Sequence, residues 1–141
     1  MIKSITFVQD NVSRSKKGVL RGMHYQRKPF SQGKLIHVNR GEICDVALDI
    51  RNDSPYYGEW VSEILSADNK KQLWIPEGFA HGFLTMEKNT EIAYKVSQYY
   101  SPGHDVSLLA SCKDLDLNLP IPWESMHLSE KDLAGISISE I

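Results

Sequence analysis

With 141 residues and 41% hydrophobic content, the chain is the size of one domain and can bury a real core, so a single domain over residues 1–141 is expected. A formal net charge of −2 with 24% charged residues builds no field for DNA or an anionic membrane surface, which removes both as principal partners. No stretch nears the ~18 apolar residues of a membrane span and the opening MIKSITFVQDN has no secretory pattern, so the expected compartment is the cytoplasm. In chain order, residues 4–9 (SITFVQ) read as a short strand and residues 10–17 (DNVSRSKK) as polar and turn-like. Residues 18–34, GVLRGMHYQRKPFSQGK, concentrate groups able to do chemistry: Arg21, His24, Gln26, Gln32 and Lys34. KLIHVN reads as a strand ending in a hairpin signal at Asn39-Arg40-Gly41. In residues 42–50, Cys44, Val46, Leu48 and Ile50 share one face, read as core, while Asp45, Ala47 and Asp49 share a face that looks wet or pocket-lining. GEWVSEIL, KQLWI, HGFLTM and TEIAYKVS complete the strands, separated by RNDSPYYG, SADN, the loop IPEGFA and EKN.

Many short strands, corner glycines and no long helical period predict an all-β fold, a cupin-like double-stranded β-helix or jelly roll. Past residue 103 the pattern loosens into an irregular, proline-containing crossing over residues 115–123, followed by a short C-terminal helical segment starting at Ser129. Cys44 and Cys112 lie in no metal or redox spacing, which predicts reduced thiols, with Cys44 as core filler.

Each candidate for chemistry has a plainer reading. An isolated histidine such as His24 is most often structural, yet its ordinary pKa near 6.5 also makes imidazole the commonest general base at neutral pH. Lys34 could be a solvated strand residue, or could stabilise negative charge developing on an oxygen. Tyr94 would by default be a packed strand aromatic. Asp132 fits Ser-x-x-Asp, in which the acid caps a helix start; alternatively its carboxylate orients the histidine base. The run Pro76-Glu77-Gly78-Phe79-Ala80-His81 resembles the second motif of cupins, whose histidine often binds metal. The first cupin metal motif, His-x-His with a glutamate, is replaced here by His24-Tyr25-Gln26, so no metal is expected.

GVLRGMHYQ, QGKL, GEICDVALDIR, SPYYGEW, LSADNKKQLWIPEGFAHGFL and LSEKD together resemble the dTDP-4-dehydrorhamnose 3,5-epimerase family, from about Phe7 to Asp132. The resemblance implies a cofactor-independent epimerase that inverts C3, C5 or both of a dTDP-linked 4-keto-6-deoxy sugar, for deoxysugar and polysaccharide biosynthesis, as a homodimer. It assigns His24 as base, Asp132 as its carboxylate partner, Lys34 near the C4 oxygen and Tyr94 as acid. By the same resemblance His81, Arg21, Gln9, Asn11 and Tyr100 contact substrate. Members of the family carry a longer segment ahead of the strand matching ITFVQDN, and their tryptophan-acid segment after the tyrosine pair is SLLASCKD here. Both departures bear on nucleotide and substrate identity. A 3,4-ketoisomerase on the same scaffold and a non-catalytic sugar-nucleotide-binding cupin are the alternatives.

Overall fold

Strand-forming alternation is clearest in residues 42–49, and both faces of that strand turn out to be buried, so it lies at the heart of the molecule. A computed structural model describes residues 4–141. Its strands are β1 (Gln9–Ser15), β2 (Leu20–Gln26), β3 (Lys34–Arg40), β4 (Glu42–Asp49), β5 (Trp60–Ser66), β6 (Leu73–Ile75), β7 (Phe79–Thr85), β8 (Thr90–Val96) and β9 (Asp105–Ser107), with one short α-helix, α1 (Glu130–Leu133), and two single turns of 3-10 helix near the C-terminus. They form a four-stranded sheet, β1-β8-β3-β6, and a five-stranded sheet, β5-β4-β7-β2-β9, and every named ladder is antiparallel. Two such sheets face to face with almost no helix are the jelly roll expected of the sequence.

Side-chain alternation gives β4 two jobs. Ile43 and Ala47 point inward and pack with Ile36, Val38, Ile75, Phe83 and Ile92, which come from both sheets, so this cluster fills the space between them. Cys44, Val46 and Leu48 point outward, where Leu20, Met23 and Leu84 join Leu108, Leu115, Leu117 and Ile138 of the C-terminal segment in a second core. The face carrying Asp45 and Asp49 is therefore not wet. Both carboxylates are buried, and each has a cationic or imidazole partner that offsets its desolvation. The irregular C-terminal crossing is the lid of that second core, and Trp60 fastens it by donating its indole N–H to the Leu115 carbonyl at 2.9 Å.

Three local readings are corrected. Residues 4–8 are not a strand, since β1 begins only at Gln9. Residues 10–15 are not a turn but most of β1, an edge strand whose polar side chains are half out in solvent and bond to β8, with Arg14 on Glu91 and Lys95 on Asp10. Asn39-Arg40-Gly41 does not make a hairpin: β3 pairs with β6 and β8, β4 with β5 and β7. Gly41, at φ 84°, instead passes the chain from one sheet to the other. A Cβ there would lie 2.4 Å from Thr90 Oγ1, so the corner needs glycine.

Candidate active site

His24 owes its aim to an irregularity in β2. The register of β2 on β7 slips between Arg21 and His24, and Gly22 sits at the slip with φ 117° and its Cα against the β7 backbone. The slip frees the Gly22 N–H from the ladder, and it donates to Asp132 Oδ2 at 3.2 Å. The other carboxylate oxygen, Oδ1, lies 2.5 Å from His24 Nε2. Asp132 is 2% exposed. Burial pushes its carboxyl up, but the hydrogen bond and charge of His24, the Gly22 N–H and the Ser129 hydroxyl together hold it below the ordinary aspartate value. The carboxylate is thus ionised at neutral pH and accepts the Nε2–H of His24, which leaves Nδ1 as the unprotonated nitrogen of the neutral ring.

Ser129 does cap α1, its Oγ accepting from the Asp132 backbone N–H at 3.2 Å. The Asp132 carboxylate is elsewhere, on His24 and Gly22, so the two readings of Ser-x-x-Asp separate by atom: backbone to cap, side chain to histidine.

In front of His24 a cavity of about 300 Å³ opens between the two sheets, lined also by Gln9, Asn11, Lys34, Tyr94, Tyr100 and Asp105. Lys34 enters from the start of β3. Burial drives its ammonium down to about 8, the carboxylates of Asp105 and Asp45 acting in the opposite sense. Tyr94 enters from β8. Burial raises its phenol, with Arg21 opposing and Asp105 adding to the rise, so the hydroxyl keeps its proton at neutral pH. Gln9, Asn11 and Tyr100 gather at one side, tied by Gln9 Nε2 to Asn11 Oδ1 at 2.9 Å and by the Tyr100 N–H to Gln9 Oε1 at 3.3 Å.

Two residues expected to contact substrate do not line this cavity. His81 is 6% exposed and does not line the cavity; it stands opposite His24 on β7 and is held by Asp45 Oδ1 at 2.6 Å. An imidazole in the middle of a sheet needs such a partner. Arg21 is exposed on the other side of the β2 slip and is not part of the cavity wall, although its charge reaches Tyr94. Sequence reasoning passed over Asp105 and Lys131, which also line the cavity and are ion-paired across 26 positions. Lys131 was visible only as the neighbour of Asp132. Gln26 has a structural task, its amide tying the carbonyls of Phe30 and Tyr99 and the Ser101 N–H around one end of the cavity.

A histidine–carboxylate pair, a lysine and a protonated phenol meet at one pocket of a jelly roll, a set of groups able to take up and return protons. The family model for dTDP-4-dehydrorhamnose 3,5-epimerase matches residues 2–140, and the chain belongs to that family. The dTDP-4-dehydrorhamnose 3,5-epimerase of Salmonella typhimurium is 51% identical over 133 residues, 94% of this chain and 72% of the relative. The dTDP-6-deoxy-D-glucose-3,5-epimerase of Legionella pneumophila, solved with dTDP-4-keto-L-rhamnose, superposes with a TM-score of 0.93 at 48% identity, over 98% of this chain and 72% of that one. A 3'-monoepimerase from Streptomyces bikiniensis, solved with dTDP-quinovose, has a TM-score of 0.89 at 29% identity, over 94% of this chain and 67% of that one.

Proposed function

We propose that this isomerase epimerises a dTDP-linked 4-keto-6-deoxy sugar at C3, C5 or both, with His24 as base. The observation that carries the reading is the His24–Asp132 pair on the wall of a cavity that also holds Lys34 and Tyr94. A ketone at C4 acidifies the hydrogens on both neighbouring carbons. His24 Nδ1 takes one of them, and Asp132 stabilises the imidazolium that results. The electron pair moves to the C4 oxygen, where the Lys34 ammonium meets the enolate charge. Tyr94 then gives its phenolic proton to the opposite face of the carbon, inverting it. Protons balance with no change of oxidation state, so the reaction calls for no redox cofactor. Among the described residues no cluster of three or more His, Cys, Asp or Glu side chains is placed to hold a metal ion.

Gln9, Asn11 and Tyr100 at the side of the cavity, with Arg21 outside it, are proposed to receive the nucleotide end of the substrate. Relatives solved with dTDP-sugars favour this class of ligand. A homodimer is proposed on the unpaired outer edge of β1, where Val12 is exposed. Among the described residues no helix is long and apolar enough to cross a membrane, and both cysteines are free, which suits the cytoplasm.

Proton NMR of dTDP-4-keto-6-deoxyglucose with the protein in heavy water tests the reading, run on the parent and on Tyr94→Phe. The parent should wash deuterium into at least one position beside the ketone and invert it. The variant keeps the ring and its packing, so exchange with retained configuration should persist while inversion falls ~10²–10⁴-fold, the usual worth of general acid assistance. Absence of any exchange by the parent would sink the epimerase reading. Inversion at the parent rate in Tyr94→Phe would remove the phenol from the mechanism.

A further inference from the structure

Beside the His24 cavity lies a second, larger one of about 670 Å³, bounded mainly by residues 25–32, 50–53 and 77–79. Gln26 and Gln32 line both, so the two are neighbours, and the proton-transfer reading makes no use of the second. Its volume is that of an ordinary small-molecule site, ~300–1,000 Å³. Its walls are tied in place. Asp49 holds the Arg51 guanidinium in a fork, Nε on Oδ1 at 3.0 Å and Nη2 on Oδ2 at 2.6 Å, and the held guanidinium stands 4.9 Å from the centre of the Phe79 ring. The Ile50 N–H donates to the Gly78 carbonyl at 3.1 Å, joining the two loops of that wall. Opposite them the Arg27 N–H donates to the His104 carbonyl and the Phe30 N–H to the Arg27 carbonyl, each at 2.9 Å.

The lining selects among ligands by its chemistry. Tyr25, Ile50 and Phe79 are only partly buried and give the cavity an apolar surface with two aromatic rings. Around them stand Arg27, Lys28, Asp53 and Glu77, all exposed, and none of the four joins an ion pair among the described residues. Lone exposed charges are ordinary on a convex surface, but these four line one hollow. Two cations balance two carboxylates, and the charge of Arg51 is answered by Asp49, so no net field draws a phosphate or a nucleotide. A wholly apolar molecule would desolvate the charged rim without pairing it. A hydroxyl group both donates and accepts, and so can serve the carboxylates and the cations alike. The C–H face of a pyranose ring, in turn, suits the electron-rich face of an aromatic ring.

We propose that this second cavity binds a neutral, hydroxyl-rich saccharide of one or two rings, packed on Tyr25 and Phe79 and hydrogen-bonded through its hydroxyls to Asp53, Glu77, Arg27 and Lys28. The inference does not depend on the reaction assigned to His24.

Proton–nitrogen correlation NMR of the full chain, titrated with methyl α-D-glucopyranoside, methyl α-L-rhamnopyranoside and, separately, inorganic phosphate, tests it. The glycosides should move backbone signals of residues 25–28, 50–53 and 77–79, with phosphate having the weaker effect there. Asp53→Ala combined with Glu77→Ala should weaken glycoside binding about tenfold or more, since each truncation removes a charge-assisted hydrogen bond. Asp53→Asn combined with Glu77→Gln keeps an acceptor at each place and should stay within about threefold of the parent. These side chains are exposed and outside any ion pair, so the variants should fold, and their own spectra verify it. Shifts centred instead on His24, Lys34 and Tyr94 would overturn the proposal by placing the glycoside in the reaction cavity. A stronger response to phosphate at the second cavity would overturn it in favour of an anion site. No shift at about 100 mM glycoside, far above a dissociation constant of ~1 mM, or unweakened binding in the double alanine variant, would overturn it as well.

Discussion

Asp132 shows how much chemistry can depend on where one carboxylate turns. A helix start and a histidine compete for it, and the structure resolves the competition by letting Ser129 cap the backbone while the side chain serves His24 and Gly22. Asn at position 132 keeps the shape and can still accept one hydrogen bond, so Asp132→Asn should cost about 1 kcal/mol of stability, rising toward 3 kcal/mol if a buried donor is left unmet. Turnover should fall far more, by roughly 10²-fold or beyond, because an amide neither stabilises the imidazolium nor enforces the tautomer that leaves Nδ1 free. Urea denaturation and steady-state kinetics on the same preparation check this. Near-normal turnover would reduce Asp132 to a structural residue. The same separation applies to His81, whose partner Asp45 is buried deeper still, yet which does not line the cavity in front of His24. A motif histidine is thus marked by its burial and partner as well as by its spacing.

The strand β2 is the element on which the site turns, and its irregularity is what no periodicity argument could supply. A Cβ on Gly22 would lie 2.6 Å from both Gly82 Cα and His81 O, and the residue sits at φ 117°, so Gly22→Ala must push β2 off β7. We expect destabilisation of about 2 kcal/mol or more, from steric overlap added to a backbone conformation that alanine avoids. Turnover of the folded fraction should fall as well, since the moved N–H is the second donor to Asp132. Gly103→Ala is the control: a Cβ there meets nothing within 4 Å, and its effect should stay within about 0.5 kcal/mol. Thermal melts and kinetics of the two variants make the comparison, and equal effects would show that the slip in β2 is tolerant. The central strands were legible in the sequence because apolar residues recur with period two in β4 and β8, and because turn signals bracket the short apolar run of β7. The strand β1 was not, because an edge strand facing solvent can be almost wholly polar, with Val12 its one apolar residue, and β9 was not, because three residues carry no period. His24, Lys34, Tyr94 and Asp132 were found as residues that can do chemistry. Asp105 with Lys131 was missed because a lysine and an aspartate far apart in sequence announce nothing until the chain is folded.

At the scale of the whole molecule, the site and the acid stability of the fold respond to pH at opposite ends of the range. Asp49, buried on β4, is held far below the usual carboxylate range chiefly by the hydrogen bond from Arg51, with the Ser54 hydroxyl assisting. Its folded pKa lies under the unfolded value near 3.9, so the stability it contributes is present at neutral pH and is lost as pH drops below about 4. Lys34 runs the other way, because burial lowers its folded value to about 8, beneath the 10.5 of a free lysine. Between those two values the unfolded chain binds a proton that the folded chain does not, and stability rises with pH. Below about 8, the charged ammonium therefore weighs against the fold, a stability cost located at the group proposed to meet the enolate. Lys34→Met should accordingly raise stability at pH 7 by on the order of 1 kcal/mol, and its advantage over the parent should shrink as pH climbs toward 10. The same ammonium gives an alkaline limb to the reaction: kcat/KM of the parent should fall above about pH 8 as Lys34 loses its proton. Paired urea titrations of parent and Lys34→Met from pH 6 to about 10, with the rate profile of the parent over the same range, measure both effects. A variant that is less stable than the parent at pH 7 would mean that Lys34 is held by pairing with Asp105 or Asp45 more than it is penalised by burial. A flat rate profile through pH 9 would mean that the group meeting the enolate is not this lysine.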